Sequence, residues 1–215
     1  MLSTYQRPVE HEVCEHEIEI KRSRFITLIG RADSEAAARD FIGAARLRFP
    51  DARHHCSAFI IHVDEANPIE RSSDDGEPSG TAGKPMLEVI KGTGMLDICV
   101  VVVRYFGGIK LGAGGLVHAY GDAVRQALLS LDRVTRSRKE LYSLRLTHAR
   151  GGRVEGELRN RGISIVDADY GAQVTLTVAL NPGAREDFDA SLAALTQGES
   201  NTKPVGHAWI ERPER

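Results

Sequence analysis

The spacing of apolar residues divides the chain into short strands and amphipathic helices. In the first half the pattern predicts four strands, at Glu17–Lys21, Phe25–Arg31, Ser57–Val63 and Leu96–Tyr105. The uninterrupted apolar run of the last of these indicates a strand that is covered on both faces. Helices are predicted after Ser34, which can serve as an N-cap, at Met86–Lys91, and from about Ala113 to Leu131.

A second pattern begins after Arg133–Lys139, a polar and basic stretch without periodicity that we take as a domain boundary. The elements predicted beyond it follow the order strand, helix, strand, strand, helix, strand, which is the ferredoxin-like arrangement. We therefore expect two domains, at residues 1–135 and 138–215. The strand at Gln173–Leu180 alternates aliphatic residues with threonines, so one face of this sheet is left for solvent or for a protein partner.

Composition and net charge limit the classes of function that this protein can have. The 215 residues are 41% hydrophobic and 27% charged, which is typical of a folded protein, and the net charge is −2. That balance argues against a chain coated in positive charge for nonspecific nucleic-acid binding, although a local basic patch is compatible with it. The three cysteines are far apart and form no CxxC pair, so neither a disulfide framework nor a zinc site is supported.

Neither a secretory signal nor a membrane span is indicated by the hydrophobic pattern. The longest aliphatic stretch lies around Ile98–Val103 and is far too short to cross a bilayer. We expect a soluble, cytoplasmic protein with no membrane partner.

Five glycines stand between the most hydrophobic strand and the helix that follows it: Gly107, Gly108, Gly112, Gly114 and Gly115. A glycine-rich connection into a helix N-terminus offers backbone N–H groups to an anion, and Arg104 and Lys110 add positive charge. Neither the P-loop motif GxxxxGK[ST] nor the dinucleotide motif GxGxxG fits these residues. Two interpretations remain open, a phosphate-contacting loop and a tight structural turn.

The segment Asp64–Pro85 is predicted to be a loop, because its residues are almost all turn-forming. Asp74, Asp75 and Glu77 within it are close enough along the chain to share a hard cation such as Mg²⁺. The alternative is an ordinary solvated acidic loop, and the sequence does not decide between the two.

The stretch HHCSAF at the start of a predicted strand carries candidate site residues. Neighbouring residues of a strand point to opposite faces, so a catalytic partner for Cys56 would have to come from elsewhere in the fold. His54 or His55 could still line a site at the strand entrance. Cys56 is interpreted as a small buried residue rather than a nucleophile.

Four of these segments together resemble the signature blocks of the Impact/YigZ family, the UPF0029 group. They are KRSRF (Lys21–Phe25), HHCSAFI (His54–Ile60), SSDDGEPSGTAGKP (Ser72–Pro85) and VVRYFGGIKLGAGGLVHAY (Val102–Tyr120). The resemblance implies an α+β protein. Its N-terminal domain would have the ribosomal protein S5 domain 2-like fold, and its C-terminal domain would be ferredoxin-like, similar to domain V of elongation factor G.

The resemblance also implies a function in translation. Eukaryotic relatives regulate translation through a protein partner, alongside an RWD domain that this chain lacks, and bacterial members are associated with RNA or ribosome binding. The implied protein is therefore non-enzymatic, needs no cofactor, and binds RNA, the ribosome or a protein of the translation machinery. The alternative is an enzyme acting on a phosphorylated small molecule or nucleotide, with Mg²⁺ at the acidic loop.

The S5-type fold is shared with kinases of small metabolites, which bind phosphate with a glycine-rich loop at a helix N-terminus. By this fold-level analogy the glycine loop becomes the expected binding surface. The residues expected to contact phosphate or nucleic acid are Lys84, Arg104, Gly107, Gly108, Lys110, Gly112, Gly114 and Gly115. Those expected to line the site are Arg24, His54, His55, Asp74, Asp75 and Glu77.

Overall fold

The computed structural model describes residues 2–213, which form ten strands and five helices. The strands are β1 (Thr4–Pro8), β2 (Cys14–Ile20), β3 (Ser23–Arg31), β4 (His54–Ile61), β5 (Ile69–Ser73), β6 (Ile98–Tyr105), β7 (Arg133–Leu146), β8 (Ser164–Tyr170), β9 (Val174–Leu180) and β10 (Thr202–Pro213). The helices are α1 (Glu35–Arg48), α2 (Gly83–Thr93), α3 (Gly112–Leu129), α4 (His148–Asn160) and α5 (Arg185–Thr196). The described residues divide into two compact units, one running to Thr135 and including Arg212 and Pro213, and the other from Arg136 to Glu211.

The first unit is built on a five-stranded sheet with the order β2-β3-β6-β4-β5, in which every neighbouring pair is antiparallel. Strand β6 lies at its centre, and the run Ile98–Val103 is fully buried. The prediction that this strand is covered on both faces is confirmed, because helices pack on each side of the sheet.

The two faces of this sheet carry different helices. On one face α1 packs Phe41 and Ile42 against Ile26 of β3. On the other face the ring of Phe25 meets the ring of Tyr120 in α3 edge-on, with centroids 5.3 Å apart. Because successive strand residues point to opposite faces, Phe25 and Ile26 anchor the two helical layers separately.

Helix α1 begins directly after Ser34, the N-cap residue predicted from the sequence. The backbone N–H of Ala37 donates to Oγ of Ser34, at 3.1 Å, so Ser34 is the N-cap of this helix.

The prediction of an unbroken loop at Asp64–Pro85 is wrong. Ile69–Ser73 forms β5, which pairs with β4 at the edge of the sheet, and α2 already begins at Gly83. Pro85 is tolerated in the first turn of α2, where a backbone N–H has no partner within the helix. The helix also continues past Gly92 and ends at Gly94, which adopts a left-handed conformation with φ 71°.

The strands of the second unit belong to a five-stranded sheet with the order β1-β7-β9-β8, in which β10 also pairs with β7, so the unit's own strands follow the order β10-β7-β9-β8. With α4 and α5 this gives the βαββαβ succession and the strand order of a ferredoxin-like fold, so both expected folds, S5 domain 2-like and ferredoxin-like, are present. Its core is aliphatic and includes Leu144, Leu158, Leu176 and Leu192.

The polar stretch Arg133–Lys139, predicted to lie outside any element, instead forms the first half of β7. Pairing of β7 with its neighbours satisfies the backbone there, which the side-chain pattern could not reveal. No helix within residues 2–213 is long and apolar enough to cross a membrane.

Candidate functional site

The glycine loop, defined here as residues 106–115, contains glycines with different structural roles. A Cβ on Gly107 would lie 2.0 Å from the carbonyl carbon and oxygen of Arg22, in the turn between β2 and β3. The N–H of Gly107 also donates to Oγ of Ser23, at 3.2 Å. Gly107 is therefore required because two backbone segments touch at this point.

Two further glycines are required by backbone conformation. Gly108 and Gly112 have φ values of 86° and 74°, in the left-handed region that favours glycine. A Cβ on Gly115 would contact Cβ of Leu111 at 3.0 Å. Gly114 differs from all of these, because its φ is not positive and a Cβ there would have no neighbour within 4 Å. The fold gives no reason for glycine at this exposed position.

The start of α3 lies next to Gly114 and lacks the usual capping groups. Its N-cap is Leu111, which makes no side-chain hydrogen bond to the helix, and its first turn contains no acidic residue. The first N–H groups of the helix are thus left for solvent or an anion. Lys110 is exposed beside them, and it has no hydrogen-bond or ion-pair partner among the residues that the structure describes.

The turn between β2 and β3 adds two cations beside the loop. Lys21 and Arg22 are exposed, and both have positive φ, 48° and 62°. Two-residue hairpin turns of this kind prefer Asn-Gly, because longer side chains are strained there. Neither side chain has a polar partner within residues 2–213, and the backbone of Arg22 rests directly on Gly107.

Two apolar side chains of the loop also face solvent. Phe106 is 53% exposed and Ile109 is 42% exposed. We call the surface formed by Lys21, Arg22, Phe106, Ile109 and Lys110 the basic edge. Of these five residues, the sequence predicts a site role only for Lys110. The run KRSR was a signal for the two other cations, but no pattern indicated that Phe106 is exposed.

Arg104 does not belong to this surface, contrary to expectation. Its Nη1 donates to Oε1 of Glu77 at 2.6 Å, and the hydroxyl of Tyr120 donates to the same oxygen at 2.8 Å. The guanidinium lies between two rings, 5.4 Å from the centroid of Phe25 and 5.7 Å from that of Phe106. Arg104 is thus a buried ion-pair partner behind the loop and is not free to bind an external phosphate.

The carboxylates proposed to share Mg²⁺ bind separate protein donors. Asp74 accepts three backbone N–H groups near the start of α2, from Gly80, Ala82 and Gly83, at 2.7, 3.0 and 2.8 Å. Asp75 pairs with Arg46 at 2.6 Å. Burial raises the pKa of Asp74, but its backbone hydrogen bonds outweigh burial and hold the pKa below its ordinary value.

Glu77 forms an ion pair with Arg104, so the three acidic side chains do not point to a common cation site. Within residues 2–213, no group of three or more His, Cys, Asp and Glu side chains is placed to hold a metal ion. The geometry therefore does not support the Mg²⁺ hypothesis.

The histidines of β4 have structural hydrogen bonds. A ring nitrogen of His54 lies 2.9 Å from the carbonyl oxygen of Asp75, and one of His55 lies 3.0 Å from that of Phe49. Cys56 is fully buried, and burial raises the pKa of its thiol to about 12. The interpretation of Cys56 as a small core residue is confirmed, because a neutral buried thiol is a poor nucleophile.

Two remaining candidates lie elsewhere. Arg24 is exposed and makes a bidentate pair with Glu17, at 2.7 and 2.9 Å. Lys84 lies in the first turn of α2 and lines a groove of about 960 Å³ between α2 and α3, together with Val89 and Val117. The lining of this groove includes no residue of the glycine loop, so Lys84 belongs to a different surface from Lys110.

Comparisons with known proteins match both units of the chain. Residues 21–128 match the Impact N-terminal domain, and residues 144–199 match a domain of unknown function (DUF1949). IMPACT family member YigZ of Escherichia coli (strain K12) is 43% identical over 84% of this chain and 88% of its own length. Protein IMPACT of Xenopus laevis is 40% identical over 31% of this chain and 21% of its own length.

A solved structure, described as the crystal structure of an hypothetical protein, is 39% identical to this chain. The structural alignment covers 95% of this chain and 98% of the chain in that structure, with a TM-score of 0.61. The agreement thus extends over both units in sequence and fold, and the chain belongs to the Impact family.

Proposed function

We propose that this chain is a non-enzymatic, translation-associated binding protein that contacts RNA of the translation machinery through its basic edge. The observation that carries the proposal is the grouping of Lys21, Arg22 and Lys110 at the glycine loop that leads into the uncapped start of α3. Membership of the Impact family supports the association with translation, since the family's eukaryotic members regulate that process. The proposal places the protein in the cytoplasm.

The charge distribution of the basic edge suits a defined phosphate contact. The whole chain has a net charge of −2, so long-range attraction to nucleic acid is weak and binding depends on local groups. Cationic side chains and helix N-terminal N–H groups are the donors that proteins commonly present to phosphate oxygens. Within residues 2–213, no carboxylate pairs with Lys21, Arg22 or Lys110, whereas Arg24 and Arg104 are paired.

The enzyme alternative receives less support from the same geometry. A metal-assisted phosphoryl site needs carboxylates that point to a common cation. Asp74 instead stabilises the start of α2, and Asp75 accepts the N–H of His55 at the start of β4. Glu77 accepts a hydrogen bond from the buried Arg104. Their arrangement is accounted for by the fold.

Binding can be tested by fluorescence anisotropy with labelled tRNA, an rRNA fragment and small ribosomal subunits. We expect affinity to fall steeply between about 50 and 200 mM salt, because phosphate contacts release counterions. Lys110→Gln should weaken binding and lower the salt slope by about one unit.

Lys84→Gln is the matched control, because Lys84 is also an exposed lysine of the first unit but lies outside the basic edge. It should bind RNA as the wild type does. Absence of affinity for every one of these RNAs at low salt would overturn the proposal, and so would equal effects of the two substitutions.

A further inference from the structure

We propose that the basic edge selects unpaired nucleotides, with one base stacking on the ring of Phe106. This inference rests on the proposed function and specifies the class of RNA that the same surface recognises. It starts from the position of Phe106, since no other Phe, Tyr or Trp in the described part of the first unit is exposed. An exposed aromatic side chain at the start of a glycine-rich loop adds little to the core, although burying it would stabilise the fold.

The ring of Phe106 contacts an anchored guanidinium, and it is joined to a fixed stretch of backbone. The guanidinium of Arg104 packs 5.7 Å from its centroid, and Arg104 is itself anchored by Glu77. The next residue, Gly107, is fixed by its hydrogen bond to Ser23 and by its contact with the backbone of Arg22. A ring that is ordered before binding loses little conformational entropy when a ligand stacks on it.

Cations lie near Phe106 through the sequence and through a backbone contact of its neighbour Gly107. Lys110 follows Phe106 by four residues, and the turn of Lys21 and Arg22 packs against Gly107. An exposed aromatic ring beside cations that reach the backbone phosphates is the arrangement that proteins use for single-stranded nucleic acid.

A duplex offers much less to this surface. The bases of an RNA helix are stacked on one another, so a duplex presents mainly phosphates and 2′-hydroxyls. Lys21, Arg22 and Lys110 would contact either form of RNA, but Phe106 would gain a stacking partner only from an unpaired base. The ring is therefore the part of the basic edge that discriminates between the two forms.

The test compares an oligouridylate with a blunt-ended, self-complementary duplex RNA of the same length, each titrated by fluorescence anisotropy. Phe106→Leu keeps an apolar side chain but removes the aromatic face. We expect it to weaken oligouridylate binding by about 5- to 150-fold, the range for one lost base stack, with an unchanged salt slope. Phe106→Trp should retain or increase the affinity.

Two further variants separate this inference from the proposed function. Leu47→Ala removes exposed apolar surface from α1, and we expect it to bind as the wild type does. Lys110→Gln should weaken binding of both RNAs and reduce the salt slope. Thermal unfolding followed by circular dichroism checks that each variant is folded.

The outcomes are distinct. If Phe106→Leu binds oligouridylate like the wild type while Lys110→Gln is impaired, the stacking proposal is wrong and the proposed RNA contact stands. If the duplex binds as tightly as oligouridylate, the selection of unpaired nucleotides is wrong. If neither of these RNAs binds at low salt while tRNA, the rRNA fragment or the ribosomal subunits do, the stacking proposal is wrong and the proposed function stands. If none of them binds, both proposals fail.

Discussion

Arg104 and Glu77 form an ion pair in which Nη1 lies 2.6 Å from Oε1 and the side chains are 7% and 4% exposed. The pair joins the end of β6 to the acidic segment that follows β5. It also supports the ring of Phe106 from behind, through the guanidinium. The acidic loop and the glycine loop are therefore connected by a structural contact, and the glycine loop carries the exposed ring of Phe106 and the exposed Lys110.

Replacing Glu77 by Gln should destabilise the protein strongly. The substitution leaves the buried guanidinium of Arg104 without a counter-charge, and breaking a buried pair in this way costs about 3–5 kcal/mol. The free energy of unfolding can be measured by urea denaturation. Glu17→Gln is the control, because its partner Arg24 is exposed and the loss should stay below about 1 kcal/mol. Equal losses in the two variants would show that burial of the pair is unimportant.

Asp74 should make stability depend on pH in the acid range. Its pKa in the folded protein is held below the ordinary value of 3.8 by backbone N–H donors. The stabilisation is therefore present above that ordinary value and is lost as the pH falls through the lower pKa of the folded state. At neutral pH, Asp74→Ala should lower the free energy of unfolding by about 1–2 kcal/mol, as for the loss of a helix cap.

Asp74→Asn tests the charge separately, since the amide oxygen can still accept hydrogen bonds. Its stability should vary less with pH below about 4 than that of the wild type, because the titrating carboxyl is gone. Urea unfolding over a series of acidic pH values measures this difference. Parallel pH profiles for the two proteins would contradict the assignment.

The three thiols should differ in reactivity towards a disulfide reagent. Burial raises the pKa of both Cys56 and Cys99 to about 12, and both side chains are fully buried. Cys14 is only half-buried, although burial raises its pKa as well. In the native protein at about pH 8 we expect Cys14 to react first, and the other two only on unfolding.

Mass spectrometry of peptides after timed labelling identifies the modified cysteine. Cys14→Ser should remove the early phase and leave the slow one. Rapid labelling of Cys56 in the folded protein would contradict its burial and would reopen the case for a reactive thiol.

Gly107 and Gly114 should respond oppositely to the same substitution. Gly107→Ala places a methyl group on the backbone of Arg22, so it should destabilise the protein by about 2 kcal/mol or more. Gly114→Ala meets open space in a helical turn, and it should be neutral or stabilise by up to about 1 kcal/mol. Thermal unfolding compares the two variants, and a destabilised Gly114→Ala would refute the assignment of open space.

Gly114→Val then connects stability with binding. Since the conformation of Gly114 does not require glycine, a bulky side chain should leave the melting temperature close to that of the wild type. If a phosphate occupies the start of α3, the same variant should lose RNA affinity. Unchanged affinity would place the phosphate contact on the side chains of the basic edge alone.

Much of the fold could be predicted because its signals are local. The apolar run around Ile98–Val103 indicates a covered central strand. Ser34 marks the start of α1 through a hydrogen bond from a residue only three positions further along the chain. The order of elements in the second unit follows from the change between strand and helix periods. Prediction failed at β5 and in the first half of β7, where pairing with distant strands, and not side-chain periodicity, decides the structure.

The candidate site depended more on tertiary structure than the fold did. The sequence by itself determined that glycines and cations meet between a hydrophobic strand and a helix. It could not tell that Arg104 turns inward to a carboxylate 27 residues away, while Lys110 faces solvent. Nor could the sequence distinguish the role of Gly107 from that of Gly114. Gly107 contacts the backbone of the turn before Ser23, and Ser23 is 84 positions away from it in the sequence. Whether each of these residues serves binding or structure is decided by its burial and by its contacts with distant segments. Both are established only when the sheet assembles.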